Sequence, residues 1–235
     1  DLPWLLRSLR FEPPGESTRA PGLAIDGVKG ITAIESFLLA RLFMFQQVYF
    51  HKSTRAAEAM IRCILKRAVA LIATGQRLPV HLAALDTAAT GVEPSLEEYL
   101  ALDDHVLLGA IHAWERASDP ILSDLCRRLR ARALFKTVEL AHVESDVPPE
   151  EAHALAEAIA RKHGLDPEHY VVLDRASDTP YPAKADLRVI FPDGRARDLS
   201  QVSFLLGRLR GEPLTRTRLL FAPELRDELR EALVS

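Results

Sequence analysis

From Ile31 to Ile72 the chain contains neither proline nor glycine, and its apolar residues recur at three- and four-residue spacing. That pattern argues for one very long helix or two in tandem, and the rest of the fold has to be arranged around it. Upstream, Leu2 to Arg10 reads as the end of a helical segment, with Trp4, Leu5, Leu6 and Leu9 on one side. Phe11 to Gly30 is rich in Pro, Gly and Ser and reads as a loop with a short strand at Leu23–Ile25.

Downstream, the helix signals continue. Ser95-Leu96-Glu97-Glu98 is a capping box, in which Ser95 accepts from the backbone near Glu98 and Glu98 reaches back. The helix it opens carries Tyr99, Leu100 and Leu102, and a further helical run passes through Val106, Leu107, Ile111 and Trp114. Asp119-Pro120 sets a capping carboxylate before a proline at the first helical position, opening a helix through Leu129. After about Arg132 the texture changes. Phe135–Leu140, Tyr170–Leu173, Leu187–Phe191 and Leu219–Phe221 are short apolar runs bounded by turn residues. Pro192-Asp193-Gly194 is a hairpin signal. Helices are expected between Pro148-Pro149 and Gly164, near Ser203 to Arg210, and after Pro223. The expected fold is mainly α with a small α+β C-terminal lobe holding a mixed or antiparallel sheet: a helical part over 1–131 and the lobe over 132–235.

Composition narrows the function classes. With 48% hydrophobic and 27% charged residues the chain can bury a real core. Its net charge of −3 lacks the basic excess of a duplex-binding module, so duplex nucleic acid is a disfavoured partner. Cys63 and Cys126 lie far apart, with no CxxC, and read as buried free thiols in a reducing cytoplasm. No uninterrupted apolar run approaches the ~18 residues that span a bilayer, so a cytoplasmic protein without a membrane partner is expected. The opening DLPWLLRSLR has neither the pattern of a signal peptide nor an initiator Met, and the first residue is expected to lie inside a longer polypeptide.

Chemistry concentrates between Ala40 and Lys52. At about 100° per residue from Arg41, Phe45 falls near ~40°, Tyr49 near ~80°, Lys52 near ~20° and Arg55 near ~−40°, if the helix is continuous. Three cations and two aromatics then share one face. Such a face suits a nucleoside polyphosphate: Arg forks onto phosphate oxygens, Lys adds a mobile charge, and Tyr offers a flat surface with a hydroxyl. The same residues also fit an ordinary packed helix whose Arg and Lys reach to solvent past Tyr49. Spacing alone does not choose between the two.

Resemblance adds to this. Glu35 through Arg41, then Met44, then Val48-Tyr49-Phe50-His51-Lys52, resembles a signature segment of the HD-domain deoxynucleoside triphosphate triphosphohydrolases, a group that includes large bacterial HD phosphohydrolases and the SAM- and HD-domain enzyme of animals. Leu102-Asp103-Asp104 with Trp114, Arg132-Ala133-Leu134-Phe135-Lys136, and Val202-Ser203-Phe204 follow in the family's order and spacing. The resemblance implies an HD-phosphohydrolase-like helical body lacking its metal-binding half. In the family a His, a His-Asp pair and a later Asp hold a divalent metal that activates water. This chain has no His-Asp dipeptide, so the resemblance places the metal ligands outside it and implies no catalytic residue within it.

The resemblance carries over binding instead. It matches Arg41 to the arginine that reaches the substrate triphosphate and Tyr49 to the tyrosine that packs on its sugar. It matches Lys29, His51, Lys52, Arg132 and Lys136 to effector-nucleotide contacts, which in regulated members also hold a homo-oligomer together. Arg132 and Lys136 bracket Leu134-Phe135, as a phosphate-facing strand entry does, and solvated charges at a helix-to-strand junction would look the same. Trp4, Phe45 and Phe50 depart from the basic or polar side chains of the animal enzyme. His105, His112, His142, His153, His163 and His169 are scattered singly and read as surface or packing histidines. Asp103-Asp104-His105 reads as helix-start electrostatics. Two other classes stay open: a non-catalytic nucleotide- or protein-binding regulatory module, and a single-stranded nucleic-acid binder.

Overall fold

The computed structural model describes residues 2–12, 22–140, 147–184 and 187–234. Much of the expected 11–30 loop and His142 therefore lie outside the described residues. In chain order the helices are α1 (Leu2–Arg7), α2 (Ile31–Met44), α3 (Lys52–Ala73), α4 (Ala83–Ala88), α5 (Leu96–Leu100) and α6 (Asp104–Trp114). They continue with α7 (Pro120–Arg130), α8 (Pro149–Lys162), α9 (Pro167–Tyr170), α10 (Leu199–Val202), α11 (Phe204–Leu209) and α12 (Arg226–Val234). The strands are β1 (Leu9–Glu12), β2 (Gly22–Asp26), β3 (Lys136–Glu139), β4 (Val171–Asp178), β5 (Arg188–Ile190), β6 (Ala196–Asp198) and β7 (Leu214–Phe221). The protein is thus mainly helical with a small β component.

The chain forms two compact units: Asp1–Phe50 with Ala176–Thr215, and His51–Arg175 with Arg216–Ser235. Each draws on both sides of Arg132, so the packing does not follow the change of sequence texture there. The reason is long-range pairing. In the first unit β2 runs parallel to β5, with Ile25 opposite Val189, giving a sheet of order β1-β2-β5-β6. N-terminal and C-terminal residues thereby share one sheet. Among the described residues there are two sheets where a single one was expected in the C-terminal lobe, and the other has order β3-β7-β4. The expected hairpin joins β5 to β6: Gly194 takes a φ of 79° and donates to the Phe191 carbonyl at 2.9 Å.

The first unit closes over Leu5, Ile25, Ile34, Leu38, Val189, Leu199 and Leu206. The expected helix through Arg10 stops at Arg7, because Leu9 and Arg10 pair with Ile25 and Ala24 as β1. Gly30 precedes α2 where no side chain fits: a Cβ there would lie 2.4 Å from the Ile25 side chain and 2.9 Å from the Asp26 carbonyl.

The long Pro- and Gly-free run is two helices in tandem. After α2 a π-helical turn covers Phe45–Tyr49, with Phe50 N–H donating to the Phe45 carbonyl at 2.8 Å. His51 then turns extended, with φ −66° and ψ 136°, and its Nδ1 accepts from Ser53 N–H at 3.3 Å to cap α3. By length and mean hydropathy (1.2), Ile31–Tyr49 is long and apolar enough to cross a membrane. Glu35 and Arg41 interrupt this stretch without making its average polar. Ala33, Ile34, Leu38 and Phe45 of that stretch are buried within the first unit.

The second unit is organised by α3, whose Ala56, Ala59, Met60, Cys63, Ile64, Ala68 and Leu71 are buried at helical spacing. Trp114 at the end of α6 is fully buried and donates Nε1–H to the Val80 carbonyl at 3.0 Å. Asp119 caps α7 by accepting from Leu122 N–H at 2.8 Å and holds Arg67 of α3 through both oxygens, at 3.1 and 2.5 Å. Arg55 forks onto the buried Asp174 in the same way, at 3.0 and 2.5 Å. The Ser95 capping box is present, although α5 ends at Leu100 and leaves Leu102 outside it. Both thiols are free and buried. Burial pushes Cys63 up to about 11 and Cys126 up to about 12.

Candidate functional site

Arg41 and Tyr49 belong to one surface row of the first unit. The Arg41 guanidinium lies 5.4 Å from the centre of the Phe45 ring, and the Phe45 and Tyr49 rings are 5.1 Å apart at 44°. Phe45 is buried; Arg41 is exposed and Tyr49 is 48% exposed. Spacing of four along the α2 and π-helical backbone produces this row, and a cation over a ring face is weakly held but well aimed. The break at His51 means that Lys52 and Arg55 do not continue it as one helical face. Lys52 starts a separate helix, and Arg55 is taken up by Asp174 and Glu58.

Lys29 is exposed at the end of a turn fixed by Asp26. The Asp26 carboxylate accepts from the backbone N–H groups of Val28 and Lys29 at 2.9 Å each, and from Arg10 at 2.7 Å. The Lys29 and Val28 backbone bonds, then Arg10, hold that carboxyl below its ordinary range. Trp4 donates Nε1–H to the Lys29 carbonyl at 3.0 Å, so the turn's main chain is held from two sides while its ammonium faces solvent.

In the second unit a groove of about 1760 Å³ collects Lys52, Arg132 and Lys136. Its walls are the first residues of α3, the segment from Arg132 through β3, and α12, which adds Arg226 and Arg230. Arg132 is the one non-glycine among the described residues with a left-handed backbone, φ 57°. It sits just past α7, where its N–H donates to the Leu129 carbonyl at 3.1 Å and that of Ala133 to the Arg128 carbonyl at 2.9 Å. Glycine ordinarily fills such a helix end because a Cβ is strained there. Here the strained position carries a guanidinium on the groove wall.

The α7 end beneath it is braced. Arg128 holds Asp124 at 2.6 Å and Glu224 at 2.7 Å and stacks 5.6 Å from the Tyr170 ring, while Tyr170 donates to Asp124 at 2.7 Å. Burial, then the bond to Asp124, pushes the Tyr170 phenol up, so it stays a donor.

The structure therefore brings Arg41 and Tyr49 together, and Lys52, Arg132 and Lys136 together. His51 caps a helix instead of lining the groove. Arg226 and Arg230 escaped the sequence reading; the only linear trace of them is a pair of arginines four apart on the terminal helix. A smaller cavity of about 200 Å³ in the first unit is lined by Leu38, Leu42, Leu206, Leu209 and other mostly apolar residues.

Among the described residues, Asp166, Glu168 and His169 bring three potential ligand atoms within 4.8 Å of one another. His169 is thus not the solitary histidine its sequence context suggests. Asp166 caps α9 and pairs with His169 Nδ1 at 3.1 Å, and Glu168 pairs with Lys66 at 2.8 Å, while His169 Nε2 is buried without a partner among the described residues. They do not match a His, His-Asp, Asp set, and Asp103 is a helix cap that accepts from Val106 N–H at 2.8 Å.

Comparison with known proteins defines the class. Residues 17–90 and 81–234 match the family described as HD associated region, and the chain belongs to that family. Its fold resembles that of a phosphohydrolase from Bacteroides thetaiotaomicron, with a TM-score of 0.70 and 25% identity over 85% of this chain and 52% of that one. A hypothetical protein from Aquifex aeolicus shares the fold, with a TM-score of 0.58 and 20% identity over 99% of this chain and 51% of that one. The uncharacterized protein YwfO of Bacillus subtilis (strain 168) is 34% identical over 209 residues, 83% of this chain and 46% of its own length. The chain spans about half the length of the relatives it matches.

Proposed function

We propose that this chain is part of an HD-type, metal-dependent nucleotide phosphohydrolase acting on (deoxy)nucleoside triphosphates, and that it supplies binding surfaces while the metal is held elsewhere. The observation that carries the reading is the groove in which Lys52, Arg132 and Lys136 converge, residues 80 or so positions apart in a chain of the HD-associated family. Membership of that family and the likeness to a phosphohydrolase support the reaction class. A divalent metal in the rest of the protein would activate water and stabilise the phosphoryl oxygens. The Asp166, Glu168 and His169 cluster does not fit that metal, and no step is assigned to it.

In this reading Arg41 contacts the substrate triphosphate and Tyr49 its sugar, Lys52, Arg132 and Lys136 serve an effector nucleotide, and Lys29 and His51 are effector contacts by family likeness alone. The protein is a cytoplasmic homo-oligomer without a membrane partner, and exposed apolar residues such as Phe37, Phe43 and Phe204 are compatible with an assembly surface. The test is kinetic. In the full-length protein Arg41→Ala is expected to reduce triphosphatase kcat/KM sharply with an unchanged circular dichroism spectrum; an unchanged kcat/KM would remove the assignment. The second reading, a non-catalytic nucleotide-binding regulatory module, is favoured by the absence of a His-Asp dipeptide from this sequence. It predicts nucleotide-dependent thermal stabilisation of the chain without phosphate release.

A further inference from the structure

We infer that α12 belongs to the anion site: Arg226 and Arg230 join Lys52, Arg132 and Lys136 in a cradle for a linear chain of three or more phosphates, recognised by charge and not by the base attached to it. The inference rests on the reading of the groove as a nucleotide site and deepens it by naming which part of the ligand is recognised.

Four observations carry it. First, Arg226 and Arg230 are exposed, line the groove, and stand four apart, so their guanidinium groups share one row of α12. Like charges at that spacing disfavour an isolated helix, and an anion between them removes the penalty. Second, none of the five groove cations has a carboxylate partner among the described residues. In the same unit Arg55, Arg67, Arg128, Arg175 and Arg218 each hold one. The groove also carries acids: Glu139 is held by Arg218 at 2.8 Å, while Asp227 and Glu231 follow the two arginines by one position, about 100° further round the helix. Among the described residues, cations outnumber acids on the wall. Third, Arg132 keeps a left-handed backbone that a glycine would adopt without strain, a cost that persists where the side chain has a use. Fourth, the volume of about 1760 Å³ exceeds the ~300–1,000 Å³ of an ordinary small-molecule pocket, which suits an extended anion better than one phosphate.

The floor explains the indifference to base. Phe135 and Phe221 are 3% and 1% exposed, so their faces are packed into the core and closed to stacking. Among the described residues the wall carries no carboxamide, whereas its five mobile cations match phosphate oxygens.

The experiment is calorimetric titration of the 235-residue chain with inorganic triphosphate, orthophosphate, GTP and a single-stranded oligonucleotide, at low and at physiological salt. Three proteins are compared: the parent, Arg226→Gln with Arg230→Gln, and Arg132→Ala with Lys136→Ala, each checked for an unchanged melting curve. Triphosphate is expected to bind the parent within about threefold of GTP. The α12 double variant should lose at least about tenfold and show a shallower salt dependence, since two screened charges are gone. Unchanged triphosphate affinity in the α12 variant, with loss in the Arg132/Lys136 variant, would overturn the role of α12 and leave the groove intact. GTP binding without triphosphate binding, or an oligonucleotide that binds more tightly than triphosphate, would overturn the ligand class. No binding of triphosphate or GTP to the parent at low salt would remove the groove reading itself.

Discussion

The Arg41–Phe45–Tyr49 row and the Lys52–Arg132–Lys136 groove are both cationic and aromatic, yet they are made in opposite ways. The row is local. Residues four apart on one helical segment stack because the backbone puts them there, and the result is a row that exposes Arg41 and Tyr49. The groove is assembled from α3, the lead into β3, and α12, and it requires a braced helix end and a strained arginine. The difference teaches that a charged face can arise from helical spacing alone, whereas a concave cationic site with unpaired charges requires tertiary structure to hold it. The groove is therefore the stronger sign of a ligand.

That contrast can be broken most forcefully by unfolding one unit. Trp114→Ala removes a fully buried indole and leaves the Val80 carbonyl unpaired, an expected loss of ~3–5 kcal/mol. Hydrogen exchange should then rise in His51–Arg175 while Asp1–Phe50 keeps its protection; equal loss in both would mean that the two units share one stability.

A smaller effect comes from the ion pair that ties α3 to α7. Hydrogen bonding to Arg67, then the Leu122 N–H, holds the Asp119 carboxyl below its ordinary range. A depressed carboxyl contributes stability that is complete above its unfolded value of about 4 and is lost as pH falls through the folded value. Urea denaturation should show this loss on acidification below about pH 4, and Asp119→Asn should lower stability at pH 7 by ~2 kcal/mol while flattening that part of the acid limb. An unaltered acid limb would show that other carboxylates dominate it.

Arg132→Gly sharpens the comparison in another direction. Glycine accepts the left-handed backbone, so stability should rise by ~0.5–1 kcal/mol as nucleotide affinity falls about tenfold. A variant that is more stable and binds equally well would show that the guanidinium has no part in the groove. The smallest expected effect concerns the thiols. With Cys63 raised to about 11 and Cys126 to about 12 by burial, the native protein should resist alkylation at pH 8 and react fully once denatured.

Much of the secondary structure was legible from the residues. The Ser95 box, the Asp119-Pro120 start, the β5–β6 hairpin and the helical spacing of α3 are local signals, and each leaves its mark within a few residues. The limits are equally physical. Whether Ile31–Ile72 is one helix or two depends on His51, whose ring caps the next helix from an extended backbone, an option composition does not announce. The start of β1 looked like helix because Leu9 continues the helical spacing of Leu5 and Leu6, and pairing with β2 outweighed that preference. The parallel β2–β5 pairing joins residues some 160 positions apart, so the grouping into units could not be read along the chain. For the candidate site, Arg41 and Tyr49 were visible as a row. Lys52 was read by spacing onto the Arg41 face, which the break at His51 undoes, and its grouping with Arg132 and Lys136 came through family likeness; Arg226 and Arg230 were not visible at all, because nothing near them in sequence shows what they face.

The most direct measurement is calorimetric titration of GTP into the parent chain and into a Lys52→Ala, Arg132→Ala, Lys136→Ala variant. With three charge-assisted contacts removed, the account predicts saturable binding to the parent and an affinity at least ~100-fold weaker in the variant. Equal affinity in the two proteins, at matched salt and with both fully folded, would contradict it.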